Sequence, residues 1–208
     1  MNKVKKHLIK SGAFFMFEDM RCLACLGIFL ALSCSTDKSN KLFTDVTGTS
    51  GLNFTNTLNF TPELNPYTYR NFYNGAGVAI GDINNDGLPD IYLTGNQVGN
   101  KLFLNEGNLK FKDITTQAGV GCEGAWSTGV TMADINADGL LDIYVCKSGA
   151  PDSPNRHNQL FINNGDLTFT DRAAEYGLDI KGLSVQAAFF DYDRDGDLDC
   201  YVLTNSFK

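Results

Sequence analysis

Short apolar stretches alternate with polar turns along most of the chain, and this alternation predicts β-strands. Stretches such as "VAIG" and "KLFLN" are four or five residues long and are bounded by turns rich in Gly, Asn and Asp, as is typical of strands in a β-rich protein. The glycine-containing turns "NEGN" and "NNGD" predict tight hairpins. The predicted strands lie at 78–81, 91–94, 102–105, 109–112, 130–133, 143–146, 160–163, 167–170, 187–190 and 201–203.

Two sequence units recur along the chain. "GVAIGDINNDGLPDIYL" at 77–93 returns in related form at 129–145 and at 187–203, and the hairpin "KLFLNEGNLKFKD" at 101–113 returns at 159–171. Part of the second unit also stands ahead of the first, as "LFTDVTGTSGL" at 42–52. Four strands in about 50 residues, repeated, are the composition of a β-propeller blade.

The predicted fold is therefore all-β, built from propeller blades of four antiparallel strands. The predicted repeats are 77–128, 129–185 and a truncated 186–208, preceded by a linker and irregular lead-in at 35–76. Since closed propellers use four to eight blades, we expect an incomplete propeller that is an N-terminal fragment of a longer protein, with unpaired sheet edges.

The first 34 residues are predicted to be an export leader. The apolar run "CLACLGIFLALS" at 22–33 is too short for a membrane span, which needs about 20 residues, and matches the core of a secretory signal. Translation from Met20 rather than Met1 gives a leader of conventional shape. Residues 31–33 fit an ordinary signal peptidase site, and they also fit a bacterial lipoprotein box before Cys34. We expect a lipid-anchored protein at the outer membrane or cell surface, with secretion or a periplasmic location as the alternative.

Charge narrows the range of partners. The net charge is −7 overall, and 22 acidic against 12 basic residues follow position 34. Because nucleic-acid binding depends on positive charge facing the phosphates, no nucleic-acid partner is expected. Contact with a membrane is expected only through the lipid anchor. The remaining predicted partners are cations and a protein or glycan ligand.

The acidic loop of each repeat predicts a calcium site. All three copies read Asp-x-Asn/Asp-x-Asp-Gly-x-x-Asp, which offers oxygen ligands at places 1, 3, 5 and 9, a backbone carbonyl at place 7 and a glycine for the turn at place 6. Ca²⁺ prefers six to eight such oxygens. The candidate ligands are Asp82, Asn84, Asp86, Leu88 and Asp90 in the first loop; Asp134, Asn136, Asp138, Leu140 and Asp142 in the second; and Asp191, Asp193, Asp195, Asp197 and Asp199 in the third.

Two other interpretations of these loops are weaker. Asn, Asp and Gly also crowd ordinary polar turns, but identical ligand places in three copies favour a metal. An EF-hand shares the start of the loop but requires an acid at place 12 and flanking helices. Place 12 here is Leu93, Val145 or Val202, in β-rich segments. We therefore expect strand-connecting calcium loops that stabilise the fold.

These repeats resemble FG-GAP/VCBS repeats, the units of integrin-α-like β-propellers. The segment 42–203, especially "NGAGVAIGDINNDGLPDIYLTGNQ" with "LFLNEGNLKFKDITTQAGV", is similar to bacterial exported proteins that carry VCBS repeats with an ASPIC/UnbV segment, the CRTAC1-like group. The resemblance implies Ca²⁺ in each loop and a propeller that serves adhesion or ligand binding.

Three functions follow as hypotheses. The first is a non-catalytic, calcium-binding recognition or adhesion module for protein or glycan, with loops 120–129 and 147–159 as recognition loops because they vary between repeats. The second is a binding or scaffold part of a larger exported carbohydrate-active enzyme. The third is a structural spacer. Trp126 is predicted either to stack on a sugar or to pack in the core, and His157 to be a solvated loop residue.

The three cysteines after the leader carry no metal-binding pattern. Cys122, Cys146 and Cys200 are irregularly spaced, and no Cys-x-x-Cys pair occurs among them. We expect buried strand or loop residues, with one disulfide pair as the alternative in an exported protein.

Overall fold

The acidic loops and hairpins connect strands of three antiparallel sheets. The computed structural model describes residues 42–149 and 155–206. The first sheet has the order β1-β2-β3-β4, and each strand pairs antiparallel with the next along the chain. Its strands are β1 (Val78–Gly81), β2 (Asp90–Leu93), β3 (Lys101–Asn105) and β4 (Phe111–Asp113).

The second repeat forms the same sheet again, in the order β5-β6-β7-β8, and the third contributes an antiparallel pair, β9 with β10. In the described residues β10 pairs with β9 alone. This arrangement confirms the all-β architecture of four-stranded blades in an incomplete propeller. The strands are β5 (Trp126–Ala133), β6 (Asp142–Ser148), β7 (Gln159–Asn163), β8 (Phe169–Asp171), β9 (Ser184–Phe190) and β10 (Asp199–Thr204).

The strands begin earlier than their sequence pattern predicts in the second and third repeats. β5 starts at Trp126, four residues before the predicted 130–133 segment, and β9 starts at Ser184, three residues before the predicted 187–190 segment. In both strands the additional residues pair across the sheet after an irregularity in register, as at Ser127 opposite Lys147. Small polar residues such as Ser127, Thr128 and Ser184 interrupt the apolar–polar alternation there, so the pattern does not predict these strand residues.

One helical turn follows the hairpin of the first repeat, and another lies in the lead-in ahead of β1. α1 (Thr47–Ser50) and α2 (Thr115–Ala118) both end at a glycine in the left-handed region, Gly51 at φ 85° and Gly119 at φ 76°. Glycine reaches this conformation without steric cost, so it terminates the helix cleanly. α1 is consistent with the prediction that 42–52 is a partial copy of the repeat.

Neighbouring blades approach each other closely where their first strands meet. A Cβ atom at Gly129 would overlap the carbonyl oxygen of Val185 and lie 2.9 Å from Cα of Gln186, and one at Gly77 would lie 2.6 Å from the Thr128 oxygen. These two glycines therefore set the spacing between successive blades. Apolar residues from both neighbouring blades fill the interface between them. One of these residues is the fully buried Tyr144, between the second sheet and the β9–β10 pair.

The lead-in segment contains neither helix nor strand between Gly51 and Gly77, yet it packs against the blades. Tyr69 and Phe72 are buried beside Trp126, with ring centroids 5.1 Å and 5.5 Å from the indole. The Tyr69 hydroxyl lies 2.7 Å from Ser148 Oγ. Trp126, at 5% exposure, is thus a packing residue rather than an exposed sugar platform.

The segment Asp45–Lys208 forms one compact unit, because its residues contact one another far more than they contact the rest of the chain. The described part of the chain holds no helix with the length and apolar character that crossing a membrane requires. The leader at 1–34 and Cys34 lie outside the described residues.

Candidate metal centre

Each acidic loop joins the first and second strands of its sheet. The three loops connect β1 to β2, β5 to β6 and β9 to β10. Place 12 of the loops, at Leu93, Val145 and Val202, lies within β2, β6 and β10. The loops are therefore strand connectors, and their surroundings differ from the helix pair of an EF-hand.

The aspartate at place 1 closes the loop on itself. In the first loop the Asp82 carboxylate accepts hydrogen bonds from the backbone N–H of Asp86, at 3.1 Å, and of Gly87, at 2.7 Å. Asp134 does the same in the second loop, with distances of 3.0 and 2.9 Å. These bonds curl five residues around one carboxylate, so the side chains at places 1, 3 and 5 converge.

Left-handed residues make the curl possible. Place 4 is occupied by Asn85 and Ala137 at φ 57° and by Arg194 at φ 65°, and place 6 is glycine in every loop. An ordinary residue pays a steric cost in this region, which glycine avoids. Asn85 also links two loops, because its Nδ2 donates to the Gly139 carbonyl oxygen at 3.0 Å.

The side chains at places 3 and 5 face each other. Asn84 Nδ2 donates to Asp86 Oδ2 at 2.9 Å, and Asn136 Nδ2 donates to Asp138 Oδ2 at 2.8 Å. The other oxygen at place 5 accepts the backbone N–H of place 7, as in the 2.8 Å bond from Leu88. Both pairs are exposed at the end of their sheets. Their oxygens stand together where a cation can reach them.

Place 7 supplies a backbone carbonyl, and its side chain fixes the loop against the hairpin. A Cδ1 methyl of Leu88 lies 3.9 Å from the position of a Cβ at Gly107, and that of Leu140 lies 3.5 Å from the corresponding position at Gly165. Asp197 takes this place in the third loop, where it is exposed. The adjacent Asp195 carboxylate raises the pKa of Asp197.

In the first two loops the aspartate at place 9 is buried and holds two strands together, whereas Asp199 in the third loop is exposed. In the first loop, Asp90 Oδ2 accepts the N–H of Ile83 at 3.0 Å and Oδ1 accepts that of Asn105 at 2.8 Å. Asp142 repeats both bonds with Ile135 and Asn163, each at 2.9 Å.

Burial has an electrostatic cost at place 9. Loss of solvent raises the pKa of Asp90 and of Asp142, and the other loop carboxylates raise it further, while the two backbone N–H donors lower it. A dication bound in the loop would offset the same repulsion. The geometry therefore leaves each buried carboxylate in a position where positive charge is favourable.

The third loop concentrates the most negative charge. Carboxylate oxygens of Asp191, Asp193 and Asp195 lie within 4.8 Å of one another, and all three residues are exposed. Asp191 accepts the N–H of Arg194 at 2.6 Å and of Gly196 at 3.3 Å. Asp199 accepts the N–H of Tyr192 at 2.8 Å.

The donor set of each loop fits a hard dication. Four side-chain oxygens from places 1, 3, 5 and 9 and one carbonyl from place 7 give five oxygen ligands, and water completes the six to eight that Ca²⁺ takes. Histidine and cysteine, the nitrogen and sulfur ligands that zinc favours, are absent from the loops. Calcium bound there would supply charge neutralisation and cross-linking of the loop.

Comparison with known proteins places the repeats in a family. The FG-GAP-like repeat matches residues 82–145 and 149–202, which is more than half of the chain. The chain belongs to the FG-GAP-like repeat family. The two matched segments contain all three acidic loops entirely, so the loops belong to the part of the chain that matches the family.

Curated relatives match part of the chain. Cartilage acidic protein 1 of Xenopus tropicalis is 34% identical over 133 residues, 64% of this chain and 19% of the relative. The Homo sapiens protein of the same name is 31% identical over 122 residues, 58% of this chain and 18% of the relative. Integrin alpha-8 of Gallus gallus is 33% identical over 108 residues, 45% of this chain and 10% of the relative. The chain thus spans less than a fifth of the length of these relatives.

Sequence reasoning missed the asparagines that support place 9 of the FG-GAP-like loops. Asn105 and Asn163 begin the hairpin turns: each donates its backbone N–H to the buried aspartate, and its Oδ1 accepts the N–H of a glycine two residues later. The Nδ2 of Asn163 also reaches across to the Ile83 carbonyl in the neighbouring repeat, at 2.8 Å. The recurring "L-F-x-N-x-G" carried this signal, although it predicted only a hairpin.

The remaining candidate residues, His157 and the three cysteines, lie outside the acidic loops. His157 is half-exposed, and its Nδ1 lies 3.1 Å from the Asp179 carbonyl oxygen. Cys122, Cys146 and Cys200 are free thiols. Burial raises the pKa of Cys122 to about 11 and that of Cys146 to about 12, so these thiols are protonated at neutral pH and are poor nucleophiles.

Proposed function

We propose that this chain is an exported, non-catalytic recognition or adhesion module, a β-propeller whose blades are stabilised by calcium and whose variable loops bind a protein or glycan ligand. One observation carries the proposal: the same oxygen-rich loop stands at the same strand joint in all three repeats of an FG-GAP-like chain. The relationship to integrin alpha-8 and cartilage acidic protein 1 supports recognition rather than chemistry.

The case for calcium rests on the repulsion between the loop carboxylates when no cation is bound. Three to five carboxylates crowd into each nine-residue loop, and like charges a few ångströms apart repel each other. A cation that binds only the folded loop stabilises it, by about 2.7 kcal/mol when the free concentration is a hundred times Kd. Calcium in this role holds the strand joints and thereby the position of the loops between blades.

We propose that the recognition surface lies on the loops that differ between repeats. Segments 120–129 and 147–159 come from different repeats, yet Asn155 Nδ2 donates to the Gly124 carbonyl at 3.2 Å. Loops held together on a repeated scaffold are the usual position for binding residues. The alternative is that the module serves as the binding or scaffold part of a larger exported carbohydrate-active enzyme.

A binding array tests the recognition function. The purified chain is applied to glycan and protein arrays in buffer with calcium and again with a chelator. We expect selective binding in calcium that weakens after chelation, because loosened strand joints displace the loops. Binding to no ligand in either buffer would contradict recognition, and turnover of a bound glycan would favour the enzyme alternative.

The export route is a separate part of the proposal. We propose that Cys34 is the lipid attachment point and that the mature protein is anchored at the outer membrane or cell surface. Metabolic labelling with a fatty acid tests it: Cys34→Ala should abolish the label, while the matched change Cys25→Ala, earlier in the leader, should keep it. An N-terminus found by sequencing at an ordinary peptidase site, without lipid, would contradict the anchor.

A further inference from the structure

A cavity of about 560 Å³ lies beside the second sheet, away from the acidic loops. It is lined from two repeats: Cys122 and Glu123 follow α2 of the first repeat, while Lys147, Gln159 and Arg172 belong to the second. The volume is in the range of small-molecule sites, about 300–1,000 Å³. Unlike most such sites its lining is polar and charged, so an apolar ligand is disfavoured.

The floor of the cavity holds a buried lysine. Lys147, in β6, is 5% exposed, and its ammonium donates to Gln159 Oε1. The same Oε1 accepts the Cys122 thiol at 2.9 Å, and Gln159 Nε2 donates to Asp171 Oδ2 at 2.9 Å. The lysine thus rests against a neutral amide, and no ion pair of the described residues includes it.

A buried ammonium in this arrangement favours an anion. Burial lowers the pKa of Lys147, while its interactions with Cys122 and Asp171 act in the opposite direction. Asp171 is occupied elsewhere, because its Oδ2 accepts from Gln159 and its Oδ1 accepts the N–H of Ala173 at 3.1 Å. An ammonium has three N–H donors, so Lys147 retains capacity for a ligand acceptor.

The first repeat shows which residues of the cavity are not part of the shared sheet structure. In the first repeat the position of Gln159 is held by Lys101, which forms an exposed ion pair with Asp113 at 2.9 Å. The position of Lys147 is held there by Gly95. The second repeat therefore carries the cation one strand inward, at the bottom of a cavity. The first sheet forms without a lysine at this position, so the fold does not require Lys147. The buried lysine is therefore a candidate for a specific function.

We propose that this cavity binds an acidic saccharide, with the sugar carboxylate on the Lys147 ammonium and the hydroxyl groups on the carboxylates and amides of the rim. The rim carries Glu123, Glu175 and Asp179, which accept hydrogen bonds from hydroxyl groups. An acidic peptide would bring further negative charge against the same carboxylates without an equal number of donors. This inference names a ligand class for the recognition function proposed above and rests on it.

A disaccharide pair tests the assignment. Calorimetric titration of the full chain, in calcium, compares digalacturonate with the neutral disaccharide of the same linkage. We expect saturable binding of digalacturonate and weaker binding of its neutral counterpart. Lys147→Gln should weaken digalacturonate binding at least about tenfold, because the charge is lost. The matched change Lys101→Gln, at the exposed lysine of the first repeat, should leave binding unchanged.

The assignment would be overturned by a lack of saturable digalacturonate binding, by equal affinity for the neutral disaccharide, or by an unaltered affinity in Lys147→Gln. Binding of an acidic peptide in place of the sugar would also overturn it. If Lys147→Gln does not fold, Gln159→Glu supplies the second test, since its carboxylate would pair with the ammonium and compete with the ligand. Calcium-dependent melting of the same sample is measured in parallel, so loss of the sugar site and failure of the calcium proposal are told apart.

Discussion

The buried aspartate of the second loop should stabilise the fold with or without calcium. Asp142 is fully buried, and its two carboxylate oxygens accept the N–H of Ile135 and of Asn163, each at 2.9 Å. In Asp142→Asn one acceptor is replaced by an NH₂ group, which then faces a backbone N–H. One buried donor loses its partner, and the other hydrogen bond loses its charge.

The size of the effect follows from opposing contributions. A lost hydrogen bond to a charged group costs about 1.5–3 kcal/mol, and an unsatisfied buried donor adds to this cost. Removal of the charge recovers part of the desolvation cost of burial and of the repulsion from Asp138 and Asp134, both of which raise the pKa of Asp142. We therefore expect a net loss of about 2 kcal/mol in the free energy of unfolding, or roughly 4–8 °C in Tm for a domain of this size.

The assay is urea unfolding in a chelator, followed by the fluorescence of Trp126, the single tryptophan, which is buried. Asp138→Asn is the matched control, because Asp138 is an exposed member of the same loop. It should change stability in the chelator by no more than about 0.5 kcal/mol and should lose stabilisation by calcium. Equal stabilities of Asp142→Asn and wild type in the chelator would refute the structural role of place 9.

Three further predictions concern the blades. Gly129→Ala should destabilise the protein by about 1–3 kcal/mol, since its Cβ would overlap the next blade's backbone, while Gly182→Ala, with open space around it, should be tolerated in the same thermal melts. Tyr144→Phe should cost about 1–2 kcal/mol in urea unfolding, because its buried hydroxyl bridges a carbonyl at 2.8 Å and an amide at 2.9 Å; equal loss in Tyr201→Phe, at an exposed tyrosine, would contradict this reason. At Asp113, desolvation raises the pKa, but hydrogen bonds and Lys101 outweigh it and hold the pKa below its ordinary 3.8. The stabilisation that the ionised Asp113 gives the fold is therefore present above pH 3.8 and is lost as the pH falls through the lower native value. Acid unfolding of Asp113→Asn should lack this pH-dependent loss of stability.

The repeat made the architecture predictable from sequence. The loop pattern appears three times, and each time the chain enters and leaves it as a strand, so Asp82, Asp134 and Asp191 marked the same joint in advance. The hairpins followed for the same reason, since their asparagine and glycine positions are local signals within a few residues of each other.

What the sequence did not predict depends on contacts between distant residues. The partner of Asp142 on the next strand, Asn163, is 21 residues away, and its role needs the hairpin to fold back. Burial of Trp126 comes from Tyr69 and Phe72 in an irregular segment without a pattern. Lys147 sits in a strand that otherwise resembles its counterpart in the first repeat, and only the packing of two repeats forms a cavity above it.

Calcium titration of the full chain tests the central claim most directly. Calorimetry and thermal melting are performed on metal-free protein, with calcium added and then removed by a chelator. Occupation of the three acidic loops predicts three bound ions per chain and, at a hundred times Kd, about 2.7 kcal/mol of stabilisation per site. Absence of binding heat, together with a Tm that calcium and chelator leave unchanged, would contradict the assignment of the loops as metal-dependent strand joints.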